Sequence, residues 1–496
     1  MLNLISDAWI PVRRKDGGRA VIAPWQMADD SLAFPDWPRP DLNIACLELM
    51  IGLVFLADPP AGLRDWRARQ GPDPDRLREK LAPFAPAFEL MGDGPRFCQD
   101  REAFERGGKP NSPDMLFIDS AGGQTMRNNA DLMVRRGRYP ALDPAMAAMG
   151  LYTLQAHAPS GGKGNRTSMR GGGPMVTLAD PGGGLWPLIW ANVPEGAPAE
   201  PAVLPWMRAT RTSERDEKVF PQVAHPAEAF FGMPRRLRLV GQGGRITGVV
   251  QIPHGTMYAG WEHPLTPHYR QKAGAELLHV HPRPGAFGYR NWLGVVLPKR
   301  SADDTARRAP MVEAWGARGG GRRAELIVAG WAMDNMKPRD FTFARAPLLD
   351  LPDDVAERAE GLVEAAGQVA RALGVALAPV LAEGEAAEAA REAFFHETQG
   401  TFEARLAELT AVNAGVGADA GGVARDWLAE LRAAALAIFD RHALPGLAER
   451  DIRAQQAMVA ARRTLGAALA GYGKTGRAVW EALGLPPREQ KKGRAA

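Results

Sequence analysis

Cysteine is nearly absent from this chain. Cys46 and Cys98 are its only two, each in an apolar context. Two such isolated residues read as inert, buried thiols. Long apolar runs are lacking as well: none approaches the roughly 20 residues that cross a bilayer, so no membrane partner is expected. The opening MLNLISDAWIPV has no basic, apolar and cleavage regions of a signal peptide, and the expected compartment is the cytosol. Catalytic signatures are missing too. There is no HExxH, no GxSxG elbow and no kinase set. The carboxylate pairs Asp303–Asp304 and Asp353–Asp354 fall in turn or cap contexts, so no enzyme is expected. Excess charge is small. A net +4 and a pI near 9.1 are compatible with a nucleic-acid or phosphate partner but do not require one.

What is present points to two kinds of structure. A length of 496 residues exceeds one core and implies two or more domains. Up to about residue 350 the chain is rich in Pro, Gly and Trp, with short apolar runs such as AWIPV, LWPLIW and RLRLV and a helical stretch over 43–57. This predicts an irregular, mixed α/β domain over 1–350. Beyond it the pattern turns helical. Four stripes are carried by Val355, Leu362, Val369, Leu373 and Leu377; by Phe395, Thr398, Phe402, Leu406 and Leu409; by Trp427, Leu431, Ala435 and Ile438; and by Ile452, Val459, Leu465, Leu469 and Tyr472. They predict a four-helix bundle over 351–480, with Asp353 and Asp354 as caps and a basic, frayed tail over 481–496. The fold class is therefore α+β.

Residues 160–174, SGGKGNRTSMRGGGP, hold six glycines and the cations Lys163, Arg166 and Arg170. Lys163 is followed by Gly164, which excludes a P-loop, and Thr167 stands where GxGxxG needs its last glycine. Two readings remain: a flexible linker, which composition favours, and a backbone that lies close against another polymer while its cations meet phosphates. In MPRRLRL (233–239), Arg236 and Arg238 would share a strand face opposite Arg235. Phosphate contact and a solvated edge strand fit this equally well. His263 and His268 flank PLTP, and His279 and His281 share one strand face. Without cysteine partners these histidines read as satisfied or exposed rather than as metal ligands. GWAMDNMKPRD (330–340) reads as a strand entering a turn at Asp334 and Asn335, with Met336 and Lys337 at its tip. Such a loop is usually a plain surface turn, but it has the composition of a duplex wedge.

Several blocks in order, NLISDAWIPVRRKDG, NNADLMVRRG, LYTLQAHAPSGGKGNRTSMRGGGP, FFGMPRRLRL, GWEHPLTPHYR, GYRNWLGVV and GWAMDNMK, together resemble the CasA family, the large subunit of the type I-E CRISPR Cascade surveillance complex. The resemblance implies a non-catalytic subunit that reads the protospacer-adjacent motif (PAM) in double-stranded target DNA. It also implies help in opening the duplex for guide pairing and support for recruiting a helicase–nuclease, alongside CRISPR RNA and the other Cascade subunits. It implies a PAM-contacting glycine loop at Gly161, Gly162, Lys163, Gly164 and Asn165. A lysine finger would fall at Lys272, with Arg270 as fallback, and a wedge at Asp334, Asn335 and Met336 beside Lys337. A loop contacting the rest of the complex would fall at Met133, Val134 and Arg135. Some relatives carry CxxC pairs near positions equivalent to Asp143 and Met146 and after RLRLV; their absence here implies no zinc and no other cofactor. The competing readings are a phosphate-handling enzyme built on the glycine segment and a scaffold that binds protein only.

Overall fold

The structure is a computed structural model that describes residues 2–102, 110–120, 122–129, 131, 134–162, 164–299, 305–349, 351–381, 384–413 and 419–486. The chain divides into two compact units. One comprises Met1–Pro284 and Arg307–Leu348, the other Gly285–Ala306 and Leu349–Ala496. The segment Gly285–Ala306, expected in the first domain, belongs with the helices because of its aromatics. The Tyr289 ring stacks on Phe402 at 4.3 Å, and its hydroxyl lies 2.7 Å from Thr398 Oγ1. Trp292 meets Phe402 edge-on.

The first unit is organised around the helix Pro40–Ala57, whose proline occupies the first turn, where its missing N–H costs nothing. This helix is 18 residues long, has a mean hydropathy of 1.7 and is 89% buried. By length and composition it could cross a membrane, which corrects the expectation that no run reaches that size. Asp41, Asn43 and Glu48 interrupt the apolar letters and hid it. Its burial on all sides marks it as the central core element of this unit. Cys46 sits on it; burial pushes that thiol up to about 12 and raises Cys98 well above its usual value, so neither is reactive.

Small antiparallel sheets surround this helix. Ile10–Arg14 lies between Arg19–Ile22 and Leu32–Pro35. Arg236–Gln242 pairs with Arg245–Ile252. Ala324–Asp334 pairs with Lys337–Leu348 in a long hairpin and, on its other edge, with Val176–Asp180. That second pairing stops at Ala329↔Val176, so the hairpin runs on from Gly330 to its turn without a strand on that side.

The second unit holds the long helices Asp353–Leu377, Glu385–Asn413, Ala420–Ala443 and Ile452–Leu469, and a shorter fifth, Gly473–Ala482. The first three expected stripes are buried throughout. The fourth is not. Leu465 and Leu469 are buried, but Ile452, Val459 and Tyr472 are 71%, 56% and 46% exposed, and Met458 takes the core position. Met458, Leu465 and Leu469 share one helical face, and Val459 lies one residue, about 100°, around from it. The fifth helix packs so closely that a Cβ on Gly361 would lie 2.1 Å from the Ala482 carbonyl. Asp353 and Asp354 occupy the first turn rather than the cap, where their charge meets the helix dipole. Residues 487–496 of the expected tail lie outside the described residues.

Candidate nucleic-acid interface

The glycine segment leaves the helix Pro144–His157 and returns to it. Ser168 N–H donates to the Ala158 carbonyl at 2.9 Å and Gly173 N–H to the His157 carbonyl at 3.1 Å. Within it, Gly161 N–H donates to Asn165 O at 3.2 Å and Asn165 N–H to Gly162 O at 3.0 Å, closing a tight turn. Gly162 and Gly164 have φ of 89° and 75°, a region in which side-chain-bearing residues are strained. Asn165 Oδ1 accepts from Gln251 Nε2 at 2.6 Å, and Gly164 O accepts from His254 N–H at 2.7 Å. These bonds replace the flexible linker that composition favoured with a defined turn. Lys163 lies outside the described residues.

The other two cations of the segment are committed to protein. Arg166 donates to Ser213 Oγ at 2.8 Å and pairs with Asp216 at 3.3 Å. Arg170 is buried and donates to Glu48 Oε1 at 2.6 Å, while His157 Nε2 lies 2.6 Å from Glu48 Oε2. The Glu48 carboxylate feels burial, which would raise its pKa, but Arg170 and His157 outweigh that and hold it well below the usual range. A buried acid in an apolar helix was the sequence signal for such a cationic partner.

The return of the segment seats the long hairpin. A Cβ on Gly172 would lie 2.7 Å from Pro159 Cα and 3.1 Å from Met336 Sδ, and one on Gly173 only 2.5 Å from the Trp331 carbonyl. The hairpin turn is Asn335–Met336, flanked by the pair Asp334↔Lys337. Both turn residues have positive φ, 48° and 61°. This is the primed two-residue turn that ordinarily takes Asn-Gly. Methionine at its second position costs on the order of 1–2 kcal/mol. Met336 is nevertheless there, and 45% exposed. Asn335 Nδ2 donates to Asp334 Oδ1, Arg339 pairs with Asp334 at 2.8 Å, and Lys337 is exposed.

Lys272 is exposed in the loop joining His268–Tyr269 to Leu278–His279, two short antiparallel strands. Arg270, the fallback, donates to the Ala275 carbonyl and so closes that loop. The loop's outgoing strand runs beside the glycine return: Met175 N–H donates to Val280 O at 3.0 Å, and a Cβ on Gly171 would lie 2.7 Å from His281 Nε2. The glycine return thus packs against both the Asn335–Met336 hairpin and the strand that leaves the Lys272 loop. Val134 and Arg135 belong to a separate excursion, tied down where Arg136 grips Asp131 and the Met126 carbonyl. Met133 lies outside the described residues.

Two expectations are corrected. Arg235, Arg236 and Arg238 are all buried, so the strand is not a solvated edge. Arg236 is fully enclosed and paired with Asp100. His268 and His279 face each other across their strands with ring centroids 4.8 Å apart and planes tilted by 48°, and each has a buried Nε2 without a partner among the described residues. They are therefore neither satisfied nor exposed. Burial lowers His268 to about 4 and His279 further still. Among the described residues no cluster of three or more metal-ligating side chains occurs.

Known proteins share this architecture. A Thermus thermophilus CasA structure superposes with a TM-score of 0.71 at 19% identity, covering 95% of this chain and 100% of that one. Thermobifida fusca Cse1 gives 0.72 at 18% identity, covering 97% and 98%. A chain of a CRISPR RNA-guided surveillance complex gives 0.70 at 15%, covering 94% and 99%. The family model for CRISPR-associated protein Cse1 matches residues 3–438, and the chain therefore belongs to the Cse1 family.

Proposed function

We propose that this chain is the non-catalytic large subunit of a CRISPR RNA-guided surveillance complex in the cytoplasm, where it reads the PAM in duplex DNA. It then helps part the duplex for guide pairing and supports recruitment of a helicase–nuclease. The observation that carries this reading is the packing of one glycine-rich segment, through its return, against both the apolar-tipped hairpin and the strand that leaves the Lys272 loop. A glycine turn can lie against a groove without steric cost, a lysine can enter it, and a methionine tip can separate bases. CRISPR RNA and other subunits complete the assembly, and no cofactor is needed.

Three substitutions test the parts. Lys272→Ala is expected to weaken duplex capture by the assembled complex and to reduce the slope of log K against log salt by about 0.9, one phosphate contact. The melting temperature should stay unchanged, because an exposed lysine contributes little to stability. An unchanged slope would exclude Lys272 from the interface. Gly164→Val is expected to abolish PAM preference in a PAM-library binding assay. Its Cβ would lie 2.6 Å from Pro253 Cβ and 3.0 Å from His254 N, at a positive φ. Gly162→Val meets open space and adds only backbone strain, so it should be the milder of the two.

A further inference from the structure

Arg235 lies directly beneath the glycine turn and is only 6% exposed. Among the described residues no carboxylate lies within ion-pair distance of it. Its one hydrogen-bonded side-chain contact is Nη2 to the Pro159 carbonyl, and its Nε is buried without a partner. Burial, uncompensated by any acid, brings its pKa down to about 10. A buried guanidinium with no anion to compensate it is costly. Its neighbours Arg236 and Arg170 each have an acid; Arg235 does not.

Gly161 explains what the guanidinium faces. Its φ lies outside the left-handed region, so its backbone conformation does not require glycine. Its missing side chain does matter. An ideal Cβ there would lie 2.3 Å from Arg235 Nη1 and 2.9 Å from Nη2. The guanidinium therefore fills the volume that a side chain at 161 would take, under two exposed glycines. Nη1 has no acceptor among the described residues.

We propose that Arg235, with Gly161 and Gly162 above it, forms a phosphodiester-binding site, and that a backbone phosphate of bound duplex DNA supplies the missing anion. The assignment rests on the reading of the glycine segment as the DNA-contacting turn. Arg235 fixes the duplex against the turn without reading sequence, because a phosphate contact positions and does not specify. A guanidinium suits this role through its forked donors.

The test is a methylphosphonate scan of PAM-bearing duplexes, in which one phosphate at a time is made neutral, on complexes assembled with wild-type chain, Arg235→Gln or Gly161→Ala. Wild type should lose about tenfold or more in affinity at one position, the scale of a charge-assisted hydrogen bond. Arg235→Gln should lose nothing at that position, and Gly161→Ala, whose Cβ displaces the guanidinium, should lose little. Free Arg235→Gln chain should melt at or above the wild-type temperature, since an unpaired buried charge has been removed. A purely structural arginine would instead lower the melting temperature and leave the scan unchanged, which overturns the assignment. Wild-type binding with equal losses in both chains also overturns it, leaving the glycine-turn reading intact. Failure of wild type to prefer PAM-bearing duplex overturns that reading itself. If inorganic phosphate raises the melting temperature of wild type but not of Arg235→Gln, and no duplex position responds, the site takes free phosphate and the duplex assignment falls.

Discussion

Glu48→Ala is expected to destabilise the first unit by about 3–5 kcal/mol, the cost of leaving a buried cation without its partner. Glu48 is 1% exposed, and Arg170 is 3% exposed. Removing the carboxylate leaves the Arg170 guanidinium, among the described residues, with Thr266 Oγ1 and the Ala156 carbonyl as acceptors. The consequence reaches the interface, because Arg170 holds the glycine return on which the hairpin sits. PAM-dependent binding should therefore fall along with the denaturation midpoint. Glu48→Gln keeps the volume and loses the charge, and should be destabilising by less than Glu48→Ala. The pH dependence follows from the sign of the shift. A carboxylate held below its unfolded value contributes its full stability above the ordinary carboxyl range, near pH 4.5. That contribution is lost as pH falls through the depressed value. Acid unfolding of the wild type should thus be steeper below pH 4.5 than that of Glu48→Gln. Superimposable acid limbs would show that this pair does not govern it.

The combined change Asn335→Gly and Met336→Gly should separate stability from function in the opposite way. Glycine relieves the positive φ of 61° at Met336, so the hairpin turn gains about 1–2 kcal/mol. The apolar tip is lost in the same step. Unstacking a base step costs a few kcal/mol, and each ~1.4 kcal/mol is a factor of ten in rate. Strand opening, followed with a fluorescent base beside the PAM, should slow by roughly one to two orders of magnitude, with PAM binding largely kept. Opening at the wild-type rate would remove the wedge assignment. A fall in melting temperature would show that the Met336 seat on Gly172 outweighs the relief of turn strain. Retention of a strained methionine where glycine would be easier is itself the pattern expected of a functional turn.

Local chemistry was legible where it depends only on neighbours in the chain. The Asn-Met tip and three of the four bundle stripes follow from short-range rules of conformation and periodicity, whereas composition alone favoured a linker where the glycine turn lies. The central helix was partly legible, since its buried polar residues broke the apolar run. Misreadings came where burial depends on distant packing. A strand reading RLRL looks the same whether its arginines face water or the interior, and Asp100 decides the matter for Arg236. Residues 285–306 looked like part of the first domain until Tyr289 found Phe402.

The sequence by itself determined the mixed and helical parts, the buried cysteines and the missing catalytic signatures. Only the tertiary structure decided that the glycine return seats the hairpin, that Arg166 and Arg170 serve as anchors, and that Arg235 lies under Gly161 with no carboxylate partner among the described residues. The physical reason is that backbone preference acts over a few residues. The partner of a buried charge is chosen by whichever distant segment packs against it.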